Sequence, residues 1–185
     1  MLNQFFDKYI FTNTLKYTHN NFYLVNVPFV ISPVDIFLSI LKSSDAMLHK
    51  KIYLAIKEDT QSSFLKRFAE LGITQEKEID FVRAFFIASG WGAIQIIDHD
   101  KESKRAIVVL DNSPFATKLI GKVDLPVDTF LKGVLAGLFS KIYDADIDCI
   151  EVECVALGAK SCKFILKPKT EFDINKKVVQ DQLPL

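Results

Sequence analysis

The sequence predicts an α+β fold in which an antiparallel sheet built from hairpins packs against several helices. Segments that alternate apolar and polar residues occur in pairs around short turn sequences, which is typical of β-hairpins. Segments with helical apolar spacing lie between these pairs and indicate amphipathic helices. Because the paired strands are joined by turns, parallel βαβ units are disfavoured.

An aromatic hairpin and a helix are predicted near the start of the chain. Residues 8–17 and 22–31 alternate around the turn sequence Thr-His-Asn-Asn at 18–21, as expected for two strands of a hairpin. Pro33 follows Ser32 at a position that favours a helix start, and apolar residues then continue as far as Leu41.

The next region is predicted to be largely helical. Residues 50–56 fit either a strand or a helix, whereas residues 62–71 have helical spacing and Gly72 is placed to end them. Thr74 is suited to cap a further helix, because acidic residues follow it in the first turn. We expect that helix to reach about Ser89.

The second half of the chain contains two further hairpins around the clearest helix. Residues 93–97 and 106–110 alternate across a polar turn at 98–103. Residues 128–142 carry a broad apolar stripe and predict a helix. The closing hairpin is predicted near 147–156 and 161–167.

Composition disfavours several classes of function. Lys+Arg and Asp+Glu both total 23, so no basic excess attracts nucleic acid. No apolar segment is long enough for a membrane span, and the N-terminus lacks the pattern of a secretory signal, so we expect a cytoplasmic protein. In that reducing compartment the three cysteines favour thiol or metal chemistry over a structural disulfide.

The closing hairpin carries a carboxylate and two thiols around the turn at Gly158. Zinc binding by Glu151, Cys154 and Cys162, a disulfide between the cysteines, and packed thiols all stay open from the spacing alone. Strict alternation places Glu151 and Cys154 on opposite faces, so joint ligation requires a bulge or a strand end between them. Cys149 is interpreted as a small buried hydrophobe.

Gly133 and Gly137 lie together on one side of the predicted 128–142 helix. Each glycine costs a helix about 1 kcal/mol relative to alanine, so the close approach of another backbone must offset that cost. Tight packing within the chain and a dimer seam are both compatible with this pattern.

Together these segments resemble the 4-vinyl reductase domain family, which is similar in fold to haem-type nitric oxide sensors and Golgi transport complex subunits. The resemblance spans about residues 75–168 and is carried by Asp111-Asn-Ser-Pro114-Phe-Ala, Gly133-Val-Leu-Ala-Gly137-Leu, Glu151-x-x-Cys154, Gly158 and Cys162-x-Phe164. It implies a small-molecule-binding module, although the family name suggests a reductase.

The resemblance also implies a metal site. In similar domains of phenol-sensing activators, a structural zinc is held by a cysteine on the helix, by the Glu-x-x-Cys segment and by the later cysteine. Carried over to this sequence, the ligands become Asp128, Glu151, Cys154 and Cys162. Asp128 stands where the family has its helix cysteine, and an aspartate is chemically acceptable to zinc.

Aromatic residues cluster on the helix before the second hairpin, at Phe81, Phe85, Phe86 and Trp91. Phe81 and Phe85 are spaced to lie on one helix face. A packed core and an apolar pocket for an aromatic, lipid-like or tetrapyrrole-like ligand are both compatible with this composition.

The sequence thus predicts a sensor-type domain that binds a small hydrophobic or aromatic ligand, forms a homodimer and passes its signal to a protein partner. Residues 1–60 would be an extension integral to or packed on the domain, 61–168 the ligand-binding domain, and 169–185 a polar surface tail with little to bury. The alternatives are a non-catalytic scaffold subunit and a vinyl reductase. The sequence contains no catalytic constellation and no nucleotide-cofactor motif.

Overall fold

The computed structural model describes residues 15–24, 27–70 and 72–184. Short 3-10 turns lie at Gln75–Lys77, Val155–Leu157 and Lys169–Glu171. In chain order the strands and α-helices of these residues are β1 (Leu15–Thr18), β2 (Asn21–Leu24), β3 (Val27–Phe29), α1 (Val34–Ser43), α2 (Ala46–Glu70), α3 (Glu78–Ala88), β4 (Ala93–Asp100), β5 (Arg105–Asp111), α4 (Pro114–Lys118), α5 (Thr129–Ile142), β6 (Ile147–Glu153), β7 (Cys162–Pro168) and α6 (Lys177–Gln182).

Two antiparallel sheets confirm the predicted α+β class. The main sheet has the strand order β4-β5-β7-β6, and the small sheet has the order β1-β2-β3. A single strand over residues 22–31 is wrong, because β2 and β3 pair with each other and set Phe22 opposite Phe29. The first strand of the predicted hairpin lies partly outside the described residues.

The helices are longer or later than their local patterns indicate. Residues 50–56 are helical and join the predicted 62–71 helix in α2, which has 25 residues. The helix predicted from Thr74 begins as a 3-10 turn and becomes α-helical at Glu78. Val34 begins α1, as the preceding Pro33 predicts.

The turn between β4 and β5 is shorter than its polar sequence suggests. The Asp100 Oδ1 atom accepts the backbone N–H of Glu102 at 2.8 Å and that of Ser103 at 3.3 Å. Because this side chain satisfies the turn locally, β4 extends to Asp100 and β5 begins at Arg105.

The hydrophobic core lies around α5, which contacts both α2 and β6. The predicted apolar stripe of α5 is buried, and Leu131, Leu135 and Phe139 have no exposed surface. From the sheet, Val108 and Phe164 join the same cluster and are equally inaccessible. The helix that carries the first predicted ligand is therefore held rigidly over the sheet that carries the others.

The two glycines of α5 allow the backbone of α2 to approach closely. A Cβ atom added to Gly133 would lie 2.9 Å from the carbonyl oxygen of Tyr53, and one added to Gly137 would lie 2.6 Å from that of Lys57. Packing within the chain therefore accounts for both glycines. Homodimer formation loses this argument and stays a prediction.

We expect Gly137→Ala to destabilise the protein by about 1–3 kcal/mol, because the added methyl group forces α2 away from α5. The better helix propensity of alanine offsets at most about 1 kcal/mol of that cost. Urea unfolding measures the difference, and Lys141→Ala on the same helix is the control. An unchanged free energy of unfolding for Gly137→Ala would contradict the close-approach argument.

The segment after Lys169 is packed against the domain, so the prediction that it has little to bury is wrong. Its apolar residues are few, yet Phe172, Val179 and Leu183 are all buried. Helix α6 contacts α2 and β6 and so covers the edge of the main sheet. None of the helices described is both long and apolar enough to span a bilayer.

Candidate metal centre

The fold brings the predicted metal ligands together. Asp128, Glu151, Cys154 and Cys162 each offer one donor atom, and these atoms lie within 4.8 Å of one another. All four residues are buried. The side chains come from the start of α5, from β6 and the residue that follows it, and from the start of β7.

A β-bulge turns the ligands of the closing hairpin toward one side. Glu151 pairs with Phe164 but Glu153 pairs with Lys163, so the register shifts at Val152. Val152 is 38% exposed, whereas Glu151 and Cys154 on either side are buried. This bulge is the irregularity that joint ligation requires.

Each carboxylate keeps one oxygen atom without a partner. The Ser113 hydroxyl donates to Asp128 Oδ1 at 2.7 Å, and the Asp128 backbone N–H donates to Glu151 Oε2 at 3.1 Å. Asp128 Oδ2 and Glu151 Oε1 are buried and have no hydrogen-bond partner among the residues described. Unsatisfied buried oxygens are costly, and a cation between them would remove that cost.

Burial and mutual contact shift the pKa values of the cluster. Desolvation raises the pKa of Asp128 to about 6 and raises that of Glu151 well above its usual range. A hydrogen bond from the Cys162 thiol lowers the pKa of Cys154 to about 5, and the same contact raises the pKa of Cys162. Without a cation, the cluster therefore retains protons that a metal ion would displace.

A buried lysine lies beside the cluster. Lys132 follows Asp128 by one helical turn and is 3% exposed. Its ammonium group donates to Gln182 Oε1 at 2.8 Å and lies 5.9 Å from the centroid of the Tyr53 ring. Burial lowers the pKa of Lys132, while the negative charge of Glu151 opposes that shift. Lys132 therefore supplies positive charge next to the acidic cluster.

Gln182 ties the end of α6 to the ligand strand. Its Nε2 donates to the Glu151 carbonyl oxygen at 2.8 Å, and its Oε1 accepts the Glu151 N–H at 2.9 Å. The side-chain amide thus replaces a neighbouring strand at the exposed edge of β6. Ser113, Lys132 and Gln182 are not among the residues predicted from the sequence. The position of Lys132 one turn after Asp128, within an apolar stripe, is the signal that would have found it.

The donor set fits zinc. Thiolate and carboxylate are ligands that zinc accepts, and four donors from separate elements suit a closed, tetrahedral site. With every ligand ionised around a divalent ion, the site carries a formal charge of about −2. Lys132 reduces that charge to about −1 at short range.

The predicted aromatic residues form a connected row of rings. The ring centroids of Phe81 and Phe85 are 6.2 Å apart, those of Phe86 and Trp91 are 6.4 Å apart, and Trp91 continues to Phe115 at 5.7 Å. Phe86 is 1% exposed and belongs to the core. Ligand binding by these residues stays a prediction.

A cavity of about 510 Å³ lies on another side of the molecule and is lined by none of these four aromatic residues. It is enclosed by the junction of α1 and α2, the loop of residues 119–127, the start of α5 and the end of α6. Lys132 and Gln182, which neighbour the metal ligands, are part of its lining. The cavity and the cluster therefore share a wall.

Residues 107–168 match the family model of the vinyl-4-reductase domain, which confirms the predicted resemblance to 4-vinyl reductase domains over a shorter range than 75–168. The phenol-responsive sensory domain of the transcription activator PoxR, solved with phenol, is 13% identical to the chain. It has a TM-score of 0.72, and the alignment covers 97% of this chain and 96% of that one.

Two further structures are similar. A vinyl-4-reductase family protein from Methanocaldococcus jannaschii is 22% identical with a TM-score of 0.51, and 75% of this chain and 83% of that chain are covered. A trafficking protein particle complex subunit 3 from Naegleria fowleri, covalently bound to palmitic acid, is 13% identical with a TM-score of 0.49 and coverages of 74% and 90%. No curated protein sequence matches significantly.

Proposed function

We propose that this chain is a sensor-type domain that binds a small hydrophobic or aromatic molecule and holds a structural zinc ion. The zinc ligands would be Asp128, Glu151, Cys154 and Cys162. The observation that carries the proposal is the buried cluster in which each carboxylate has one oxygen without a partner among the residues described. A cation at that point would satisfy both oxygens and replace protons of the thiols.

The zinc would act on folding and not on catalysis. Four protein donors leave no open coordination position for a water molecule or a substrate. The ligands come from α5, β6 and β7, so the ion would join the helix to the last hairpin. Such a site contributes its binding free energy to the stability of the fold.

The aromatic row supports the ligand part of the proposal. Phe81, Phe85, Phe86 and Trp91 present ring faces and edges beside the main sheet, and such walls suit a flat apolar ligand. The PoxR sensory domain, which is phenol-responsive, has the same fold. A homodimer, with a protein partner that receives the signal, would complete the sensing function.

A scaffold subunit is the second candidate, and exposed apolar residues favour it. Ile36 and Ile40 on α1 are 55% and 44% exposed, and Met47 at the start of α2 is 65% exposed. Apolar side chains grouped at one end of a domain are typical of a protein interface. A stable complex with a protein partner, in a chain that retains neither metal nor ligand, would favour this candidate.

Native mass spectrometry tests the proposed function, since one spectrum reports metal, retained ligand and oligomeric state. We expect one zinc ion per chain near pH 7.5 after anaerobic purification. The zinc-bound fraction should fall as the pH drops through about 6, where Asp128 takes up a proton. The direction follows from the raised pKa values of both carboxylates, because protonated ligands cannot hold the ion.

Metal-free protein at every pH would overturn the zinc part of the proposal. A chain that retains zinc equally at pH 7.5 and pH 5 would contradict ligation by Asp128 and Glu151. A repeat in the presence of a chelator distinguishes a buried site from loosely held surface metal, since a buried ion should be lost slowly.

A further inference from the structure

We propose that the cavity beside α6 is a second binding site, which takes a small neutral molecule with an aliphatic body and an oxygen acceptor, such as an alcohol or a ketone. Lys132 would donate a hydrogen bond to that oxygen. The site is separate from the aromatic row and does not depend on a ligand binding there.

The dimensions and walls of the cavity suit such a molecule. Its volume of about 510 Å³ lies within the range of small-molecule pockets. Aliphatic side chains, including Leu41, Leu119, Val123 and Val127, form much of its lining. Since no aromatic ring belongs to the lining, the cavity offers no stacking surface, and an aliphatic body is favoured over an aromatic one.

Lys132 supplies the hydrogen-bond donor. An ammonium group carries three N–H donors, and Gln182 is the hydrogen-bond acceptor that Lys132 reaches among the residues described. The neighbouring polar residues are occupied with each other. His49 Nε2 donates to the Leu41 carbonyl oxygen at 3.0 Å, and the Thr129 hydroxyl lies 3.0 Å from His49 Nδ1. Lys132 thus keeps donor capacity at a buried point of the wall.

The charges around the cavity favour a neutral ligand over an anion. Lys42 and Lys122 in the lining are balanced by Asp124 and Asp181. The remaining lining charge, on Lys132, already faces the acidic ligand cluster. A carboxylate in the cavity would find no uncompensated positive charge, and the cluster behind Lys132 would repel it. A hydroxyl or carbonyl oxygen accepts the hydrogen bond without that repulsion.

Titration of the ¹⁵N-labelled full chain with hexan-1-ol tests the proposal, with hexanoate as the charged analogue. We expect hexan-1-ol to shift the backbone amide resonances of Thr129, Lys132 and Gln182, and hexanoate to bind more weakly. Lys132→Met should weaken hexan-1-ol binding roughly 3- to 10-fold, as expected for loss of one hydrogen bond.

A second variant keeps the test decisive if Lys132→Met fails to fold. Val123→Phe fills the cavity from the loop and should abolish the shifts, whereas Ile97→Phe, at a 56% exposed position outside the lining, should leave them unchanged. The proposal is overturned if hexan-1-ol leaves the amides of the cavity unshifted, if hexanoate binds equally well, or if Val123→Phe has no effect. Phenol in a parallel titration probes Phe86 and Trp91, so failure of the proposed function is read separately.

Discussion

Cys162→Ser is expected to abolish stoichiometric metal binding and to lower the thermal unfolding midpoint. The substitution removes one of the buried donors and leaves two carboxylates and a thiol close together without a cation. Loss of a partner from a buried charged cluster costs about 3 kcal/mol. For a chain of this length, that corresponds to a decrease of roughly 6–12 °C. Metal analysis and differential scanning calorimetry of the purified variant provide the two readouts.

Cys149→Ser is the matched control for this prediction. Cys149 is also a buried free cysteine, but it lies outside the ligand cluster. A hydroxyl in the core lowers stability in either variant, so the metal content separates their effects. We expect Cys149→Ser to retain full metal content. Equal metal content in the two variants, or an unchanged unfolding midpoint for Cys162→Ser, would argue against a structural zinc site.

Gln182→Ala is expected to release the C-terminal helix from the sheet edge. The side-chain amide of Gln182 bonds the N–H and the carbonyl oxygen of Glu151, and it also accepts from Lys132. Alanine leaves these buried groups unsatisfied, which costs about 3 kcal/mol. Hydrogen exchange should then show loss of protection over residues 177–184 before the domain unfolds.

The effect of Gln182 should also reach the metal ligands, because Glu151 is the residue that it holds. We expect zinc to dissociate faster from Gln182→Ala than from the unmodified chain. Gln180→Ala is the control, since Gln180 lies on the same helix with an exposed side chain. If both variants exchange and lose zinc at the same rate, α6 does not support the ligand cluster.

Much of the fold follows from local patterns. The start of α1 at Val34, the apolar stripe of α5 and the hairpin of β6 and β7 were all legible from residue spacing and turn sequences. The strand pattern at 22–31 and the break between 56 and 62 were misleading. Pairing of β2 with β3 and the continuous path of α2 beside α5 depend on neighbours that are distant in sequence.

The sequence by itself determined the fold class and the set of donors at Asp128, Glu151, Cys154 and Cys162, because turn chemistry, apolar period and motif spacing are local properties. Tertiary structure alone decided how these donors are surrounded. Lys132 reaches Gln182 across 50 residues, and Gln182 reaches Glu151 across 31. Such contacts arise only when α5, β6 and α6 pack together, and no local pattern records which polar side chain will meet a sheet edge.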